Sequence, residues 1–270
     1  MNIIVTIKQV PDTLAITVDP ETGTLNRKGV PSIINPEDKN AIEAALMLKR
    51  KHGGSVTAIS MGPHQAQDVL REALCLGVDR AILLTDELFA GADTLATAYT
   101  LSSAIKKIGN FDLIIAGHQA IDGDTAQVGP QLAGFLNIPQ ITNVVDMKIS
   151  ASGNHYYIEA KSKFGHLVRK VRAKLPSLIT VVKETNRPKY TTINGILNGY
   201  RKREIECWNC DDIKAAKHRI GLIGSPTSVL KTKWVEHKRK GKTIKGSPEK
   251  IADEIIKFME KKEIKGAYSI

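Results

Sequence analysis

The residues best placed to hold a ligand lie in one stretch, FDLIIAGHQAIDGDTAQVGPQLAGFL, from Phe111 to Leu136. An apolar run stops at Gly117, gives way to a polar loop, and resumes with helical spacing. Within the loop, Gly123 and Ala126 are small enough for a ligand to approach the backbone. Asp122, Asp124, Thr125 and Gln127 supply side chains that bond to oxygen. A helix expected from about Thr125 would aim its free N–H groups at this loop, which makes a ready phosphate site. The same residues also suit a plain helix start, with Asp124 or Thr125 as cap and Gly123 in the turn. The two readings are compatible, and together they point to a nucleotide binder.

Other chemistries find little support. The chain has no G-x-G-x-x-G after its first strand, no G-x-x-x-x-G-K-[ST], no G-x-S-x-G and no H-E-x-x-H. Cys207 and Cys210 form one C-x-x-C, CWNC, but His218 and His237 lack the spacing of a second pair of zinc ligands. The motif reads as two reduced thiols, and three cysteines in all fit a reducing, cytoplasmic setting. No catalytic residue and no metal ligand are assigned.

A sheet must position this loop. Short aliphatic runs at IIVTI, SVTAIS, RAILLT and DLIIAG read as parallel strands buried on both faces. Between them lie NPEDKNAIEAALMLKRKHGG, GPHQAQDVLREALCLGVD and GADTLATAYTLSSAIKKIG, each with helical spacing. The first opens on Asn35 and Pro36, a cap and first-turn pair, and closes on Lys, Arg, His and Gly. The expectation is an α/β fold: a mostly parallel open sheet with flanking helices. In such sheets ligands bind beyond the carboxyl ends of the strands, where the strand order reverses. That brings Thr6, Met61, Gly62 and Gly117 to one rim.

After residue 140, ITNVVDMKIS, NHYYIEAKS and HLVRKVRAKLPSLITVV alternate apolar and polar residues and read as antiparallel strands. From about residue 184 the period weakens. Pro188, Gly195 and Gly199 argue for a long loop, and long loops are often functional. SPEKIADEIIKFMEKKE reads as a final helix. Two domains are expected, an α/β body over 1–206 and an arm over 207–270.

The formal net charge is +11, and the densest run, KTKWVEHKRKGKTIKG over 231–246, looks like an exposed arm. An excess of this kind favours anionic partners. Trp234 is the lone aromatic in that run, so a nucleic-acid role ranks last. No apolar stretch approaches the roughly 20 residues that span a bilayer, and no secretory signal is read at the N-terminus.

Taken together, IIVTIKQVPDT, INPEDKNAIEAAL, AISMGP, REALCLGVDRAILLTD, LIIAGHQAIDGDTAQVGPQLAGFL and LPSLITVVKETNRPKY resemble the β subunit of electron-transferring flavoproteins, in order and spacing. The likeness runs from the N-terminus through residue 206, and GSPTSVLK with the final helix extends it. It implies an adenine-nucleotide-binding α/β fold with a C-terminal arm packed on an α subunit. Conventional members hold AMP here, with a loop similar to Asp-Asp-Asp-x-Asn-Gln-Thr-Gly-Gln. This chain has IDGDTAQVGPQ, which looks like the bifurcating members that bind a second FAD in the β subunit.

By that resemblance, NADH gives a hydride to this FAD. One electron then passes through the α-subunit FAD to a partner dehydrogenase and the other to a low-potential ferredoxin or flavodoxin. Thr6 and the turn Asn35, Pro36 and Asp38 would face the adenosine. Met61 and Gly62 would flank it, and Gly117, Gln119 and Asp122 through Val128 would wrap the diphosphate. Asn186, Pro188, Tyr190 and Ile193 match the loop that recognises the dehydrogenase, although a buried anchor is an equal reading for Ile193. A conventional AMP-binding shuttle, or a non-redox nucleotide- or nucleic-acid-binding module, are the alternatives.

Overall fold

The computed structural model of the chain describes residues 1–12, 17–18, 25–26, 31–201, 204–228 and 243–261. It divides into two compact units, Met1–Ser228 and Val229–Ile270.

In the first unit β1 (Asn2–Thr6) leads into β2 (Gln9–Pro11), β3 (Thr17–Val18), β4 (Leu25–Asn26) and β5 (Ser32–Ile34). β2 pairs antiparallel with β5, and β3 with β4. Then come α1 (Pro36–His52), β6 (Ser55–Met61), α2 (Gln67–Leu76), β7 (Arg80–Leu84), α3 (Thr94–Ile108), β8 (Leu113–Gly117) and α4 (Val128–Leu136). β9 (Gln140–Ser152), β10 (His155–Phe164), β11 (Leu167–Lys174), β12 (Ser177–Val181), α5 (Ile193–Arg201) and β13 (Ile205–Trp208) complete it.

Nine strands form one sheet in the order β11-β10-β9-β12-β8-β1-β6-β7-β13. Neighbours are parallel from β9 through to β13, whereas β10 pairs antiparallel with both β9 and β11. Aliphatic runs suit this arrangement because successive residues serve opposite faces. Ile3 and Val5 pack with α1 and α2 on one side. Ile4 between them packs with α3 and α4 on the other. Each fully buried Ile or Leu contributes about 1.5–3 kcal/mol. The chain lays β6 and β7 on one side of β1 and then returns to place β8 on the other. The strand order therefore reverses between β1 and β8.

The α/β body agrees with the sequence reading, and four details differ. LPSLITVV does not continue the antiparallel set: β12 returns between β9 and β8 as a parallel strand with all five residues buried. The stretch expected as a long loop contains α5. Its glycines are there for packing: a Cβ at Gly195 would collide with the Cys75 carbonyl oxygen, and one at Gly199 would lie 2.5 Å from Cys75 Sγ. α4 begins at Val128, three residues beyond the start expected at Thr125.

Fourth, the first unit runs past residue 206 to Ser228. β13 completes the sheet, and Trp208, Cys210, Ile213, Ala215 and Ile220 join the core on the α3 side. Cys207 and Cys210 are free thiols, and burial pushes the Cys210 thiol above its ordinary range.

In the second unit α6 (Pro248–Lys261) is amphipathic, with Ile255, Ile256 and Met259 exposed. Most of the basic run expected as an exposed arm lies outside the described residues. Among the described residues no helix is long and apolar enough to cross a membrane.

Candidate functional site

The carboxyl ends of β1 and β8 meet the first turn of α1, and hydrogen bonds tie the three together. Asp38 is buried in that turn. Its carboxylate accepts from the Lys8 N–H at 2.8 Å and from the Gly117 N–H at 3.2 Å. Gly117 has to be glycine here: a Cβ would run into the Asp38 carboxylate and lie 3.0 Å from the Asp38 nitrogen. Burial pushes the Asp38 carboxyl from its ordinary 3.8 up to about 7, against the hydrogen bonds from Lys8, Asn35 and Gly117 that favour its charge.

Asn35 occupies the cap position of α1, yet its side chain makes no cap bond. Instead Nδ2 donates to the Gln119 carbonyl at 2.9 Å and Oδ1 accepts from the Ile121 N–H at 3.1 Å. Glu37 accepts from the Gln119 N–H at 2.8 Å. Residues 119–121 are thus clamped onto α1 from both sides.

Beyond that clamp the loop is open. Gly123 N–H and Asp124 N–H both donate to the Ala120 carbonyl, at 3.2 and 2.8 Å, and make a tight turn. A Cβ added at Gly123 meets nothing within 4 Å. The left-handed backbone falls on Asp124 (φ 48°) and Ala126 (φ 52°), not on the glycine. Neither Asp124 nor Thr125 caps α4: its cap position is Gln127, and no side chain bonds there. The first N–H groups of α4 consequently face the loop without a side-chain acceptor, and left-handed turns next to a helix start favour anions. Thr94 at the start of α3 donates to Gln127 Oε1 at 2.9 Å and steadies the far end of the loop.

Thr6, Met61 and Gly117 end β1, β6 and β8 at one rim, and Gly62 follows directly on Met61. Gly62 N–H donates to the Leu84 carbonyl at 3.0 Å. Pro36 opens α1 and lines a cavity with Lys39, Asn40, Lys183, Asn186 and Pro188. The expected partner-binding residues divide into two groups. Asn186 is locked to α1, donating to the Asn40 carbonyl at 3.0 Å and accepting from Asn40 Nδ2 at 2.9 Å through its own carbonyl. Tyr190 and Ile193 are 96% and 80% exposed, so Ile193 is no buried anchor.

Three groups at the site carry no motif. Lys8 Nζ donates to both oxygens of Asp122, at 2.8 and 2.7 Å, and Glu37 and Thr94 hold the loop as described. A lysine two residues beyond Thr6, just past a strand end at the rim, was the available signal for the first.

The fold is thus a doubly wound α/β body whose strand order reverses beside a clamped, open polar loop. The electron transfer flavoprotein domain model matches residues 22–212. The chain is 47% identical over 264 residues to the electron transfer flavoprotein subunit beta of Thermoanaerobacterium thermosaccharolyticum, covering 98% of this chain and 100% of that one. It is 44% identical over 266 residues to the caffeyl-CoA reductase-Etf complex subunit CarD of Acetobacterium woodii, covering 98% and 100%. Against the acryloyl-CoA reductase electron transfer subunit gamma of Anaerotignum propionicum the identity is 41% over 273 residues, covering 97% and 99%. The chain belongs to the electron transfer flavoprotein family, as a β subunit. Membership implies electron transfer in a complex with an α subunit.

Proposed function

We propose that this β subunit holds FAD at the β1/β8 crevice and takes electrons from NADH, dividing them between two acceptors. The adenosine end lies against Thr6, Asn35, Pro36, Asp38, Met61 and Gly62, and the diphosphate lies along Gly117, Gln119 and Asp122 through Val128. The observation that carries this reading is the open face of the loop at Gly123, where an added Cβ finds no neighbour. A bulky acidic side chain there would crowd a diphosphate, so a glycine leaves room for a molecule longer than a mononucleotide. When bound, FAD supplies two-electron acceptance and one-electron release. The chain's own residues orient it: Asn35 and Glu37 fix residues 119–121, and Thr94 fixes Gln127.

One acceptor is a partner dehydrogenase, reached through the α-subunit FAD, and the other is a low-potential ferredoxin or flavodoxin. The likeness to subunits named for caffeyl-CoA and acryloyl-CoA reductases supports a dehydrogenase that works on a CoA thioester. Its docking surface is proposed at Asn186, Pro188, Tyr190 and Ile193, extended along α5 by Ile196, Leu197 and Tyr200. Tyr190, Ile193, Ile196, Leu197 and Tyr200 stand exposed while the opposite glycine face of α5 packs on Cys75, and Asn186 ties the segment to α1. In the second unit, the exposed Ile255, Ile256 and Met259 of α6 suit burial against the α subunit.

The test is cofactor content. The αβ complex is purified and denatured, and the released nucleotides are quantified. Two FAD per heterodimer, with NADH oxidation by the intact complex, is the expected result; one FAD with one AMP overturns it.

A further inference from the structure

We infer that Lys8 is the cation that receives the anionic part of the bound nucleotide, and that Asp122 competes with the ligand for it. The inference rests on the reading that a nucleotide occupies this crevice. The main chain of Lys8 is fixed on both sides: its N–H donates to Asp38, and its carbonyl accepts from the Asn35 N–H at 2.9 Å. The side chain is left to reach across the mouth of the crevice, where Nζ meets both Asp122 oxygens.

Three other charged groups near the mouth are already engaged. Lys39 pairs with Glu72 at 2.9 Å, Glu37 is held by the Gln119 N–H and Asp38 by two backbone N–H groups. Lys8 is therefore the ammonium whose partner is itself part of the diphosphate loop.

That partner is held loosely enough to exchange. Residues up to Ile121 are clamped by Asn35, whereas Asp122 lies beyond the clamp beside the open Gly123. The side chains of Lys8 and Asp122 are 50% and 34% exposed, and an ion pair in that setting contributes little net stability. A phosphate, carrying more charge and more acceptor oxygens, displaces the carboxylate from the ammonium. The crevice thus contains an internal substitute for its ligand's anion. Lys8 confers selectivity for phosphorylated over unphosphorylated adenosine, and Asp122 moderates it.

The test titrates the full chain with adenosine and with ADP by calorimetry. Wild type should prefer ADP. Lys8→Met should lower ADP affinity by about tenfold or more, the worth of a charged hydrogen bond, while adenosine affinity stays unchanged. Asp122→Asn should raise ADP affinity about two- to fivefold, the range of an exposed ion pair, and should do nothing in the Lys8→Met background. Retained adenosine binding shows that each variant is folded.

An unchanged ADP-to-adenosine ratio in Lys8→Met overturns the inference. So does an equal gain from Asp122→Asn with and without Lys8, which would mean long-range charge alone, or a loss of ADP affinity in Asp122→Asn. If wild type binds neither compound, the nucleotide reading falls first and takes this inference with it.

Discussion

Asp38 sets up a competition between burial and hydrogen bonding that stability measurements can decide. Its carboxyl is pushed from an ordinary 3.8 to about 7, with burial outweighing the groups that favour its charge. Because the folded value lies above the unfolded one, the protonated form favours the folded chain. Stability from this group is fullest below about pH 4 and is lost as the pH rises through 7. With those two values, linkage gives a loss of about 2 kcal/mol between about pH 5.5 and pH 8. Asp38→Asn removes the titration and also loses one backbone acceptor, so it should be less stable at low pH. The informative quantity is the difference between wild type and variant in urea unfolding across that range. It should narrow by about 2 kcal/mol toward pH 8. A difference that stays flat, or widens as the pH rises, would show that the Lys8 and Gly117 N–H groups keep the carboxylate charged, and would refute the reasoning.

Other perturbations test separate parts of the molecule. Gly199→Ala places a methyl 2.5 Å from Cys75 Sγ and 2.9 Å from the Cys75 nitrogen, and should lower unfolding stability by about 1–3 kcal/mol, read from the urea midpoint. Thr94→Val frees the end of the loop at Gln127 and should weaken FAD retention in the αβ complex by about 1 kcal/mol, or roughly fivefold, measured by equilibrium dialysis. Combined Tyr190→Ala and Ile193→Ala should leave flavin content and melting temperature unchanged while slowing electron delivery to the dehydrogenase by tenfold or more. Stopped-flow reduction of the dehydrogenase measures this, and an unaltered rate removes those residues from the docking surface.

The parallel body was legible because a strand buried on both faces needs an unbroken aliphatic run, as LIIAG shows in β8. The strand ends at Thr6, Met61 and Gly117 followed from those runs, whereas the order of the strands came only with the structure. α5 was illegible for a local reason: Gly195 and Gly199 weaken a helix as isolated residues, and their value appears only when Cys75 lies against them. The Lys8 to Asp122 pair joins residues 114 positions apart: the place of Lys8 just past a strand end hinted at the lysine, but nothing local named its partner. Asn35 looks like an ordinary cap in sequence, and only the fold reveals that its amide is spent on the loop instead. β13 is four residues long, too short for a period to show in sequence, and it joins the sheet by pairing with β7.

Among the described residues, β11 has no strand on its outer side, an invitation for a second copy to zip on. Arg169, Lys170, Arg172 and Lys174 line that rail, and Lys170 stands directly opposite Lys161 of β10. Two such rails brought together would repel, so the cationic border acts as a guard against fibre growth. The guard is ionic and therefore conditional. Concentrated salt, or acylation of those amines, would lower it and expose the chain to end-to-end polymerisation.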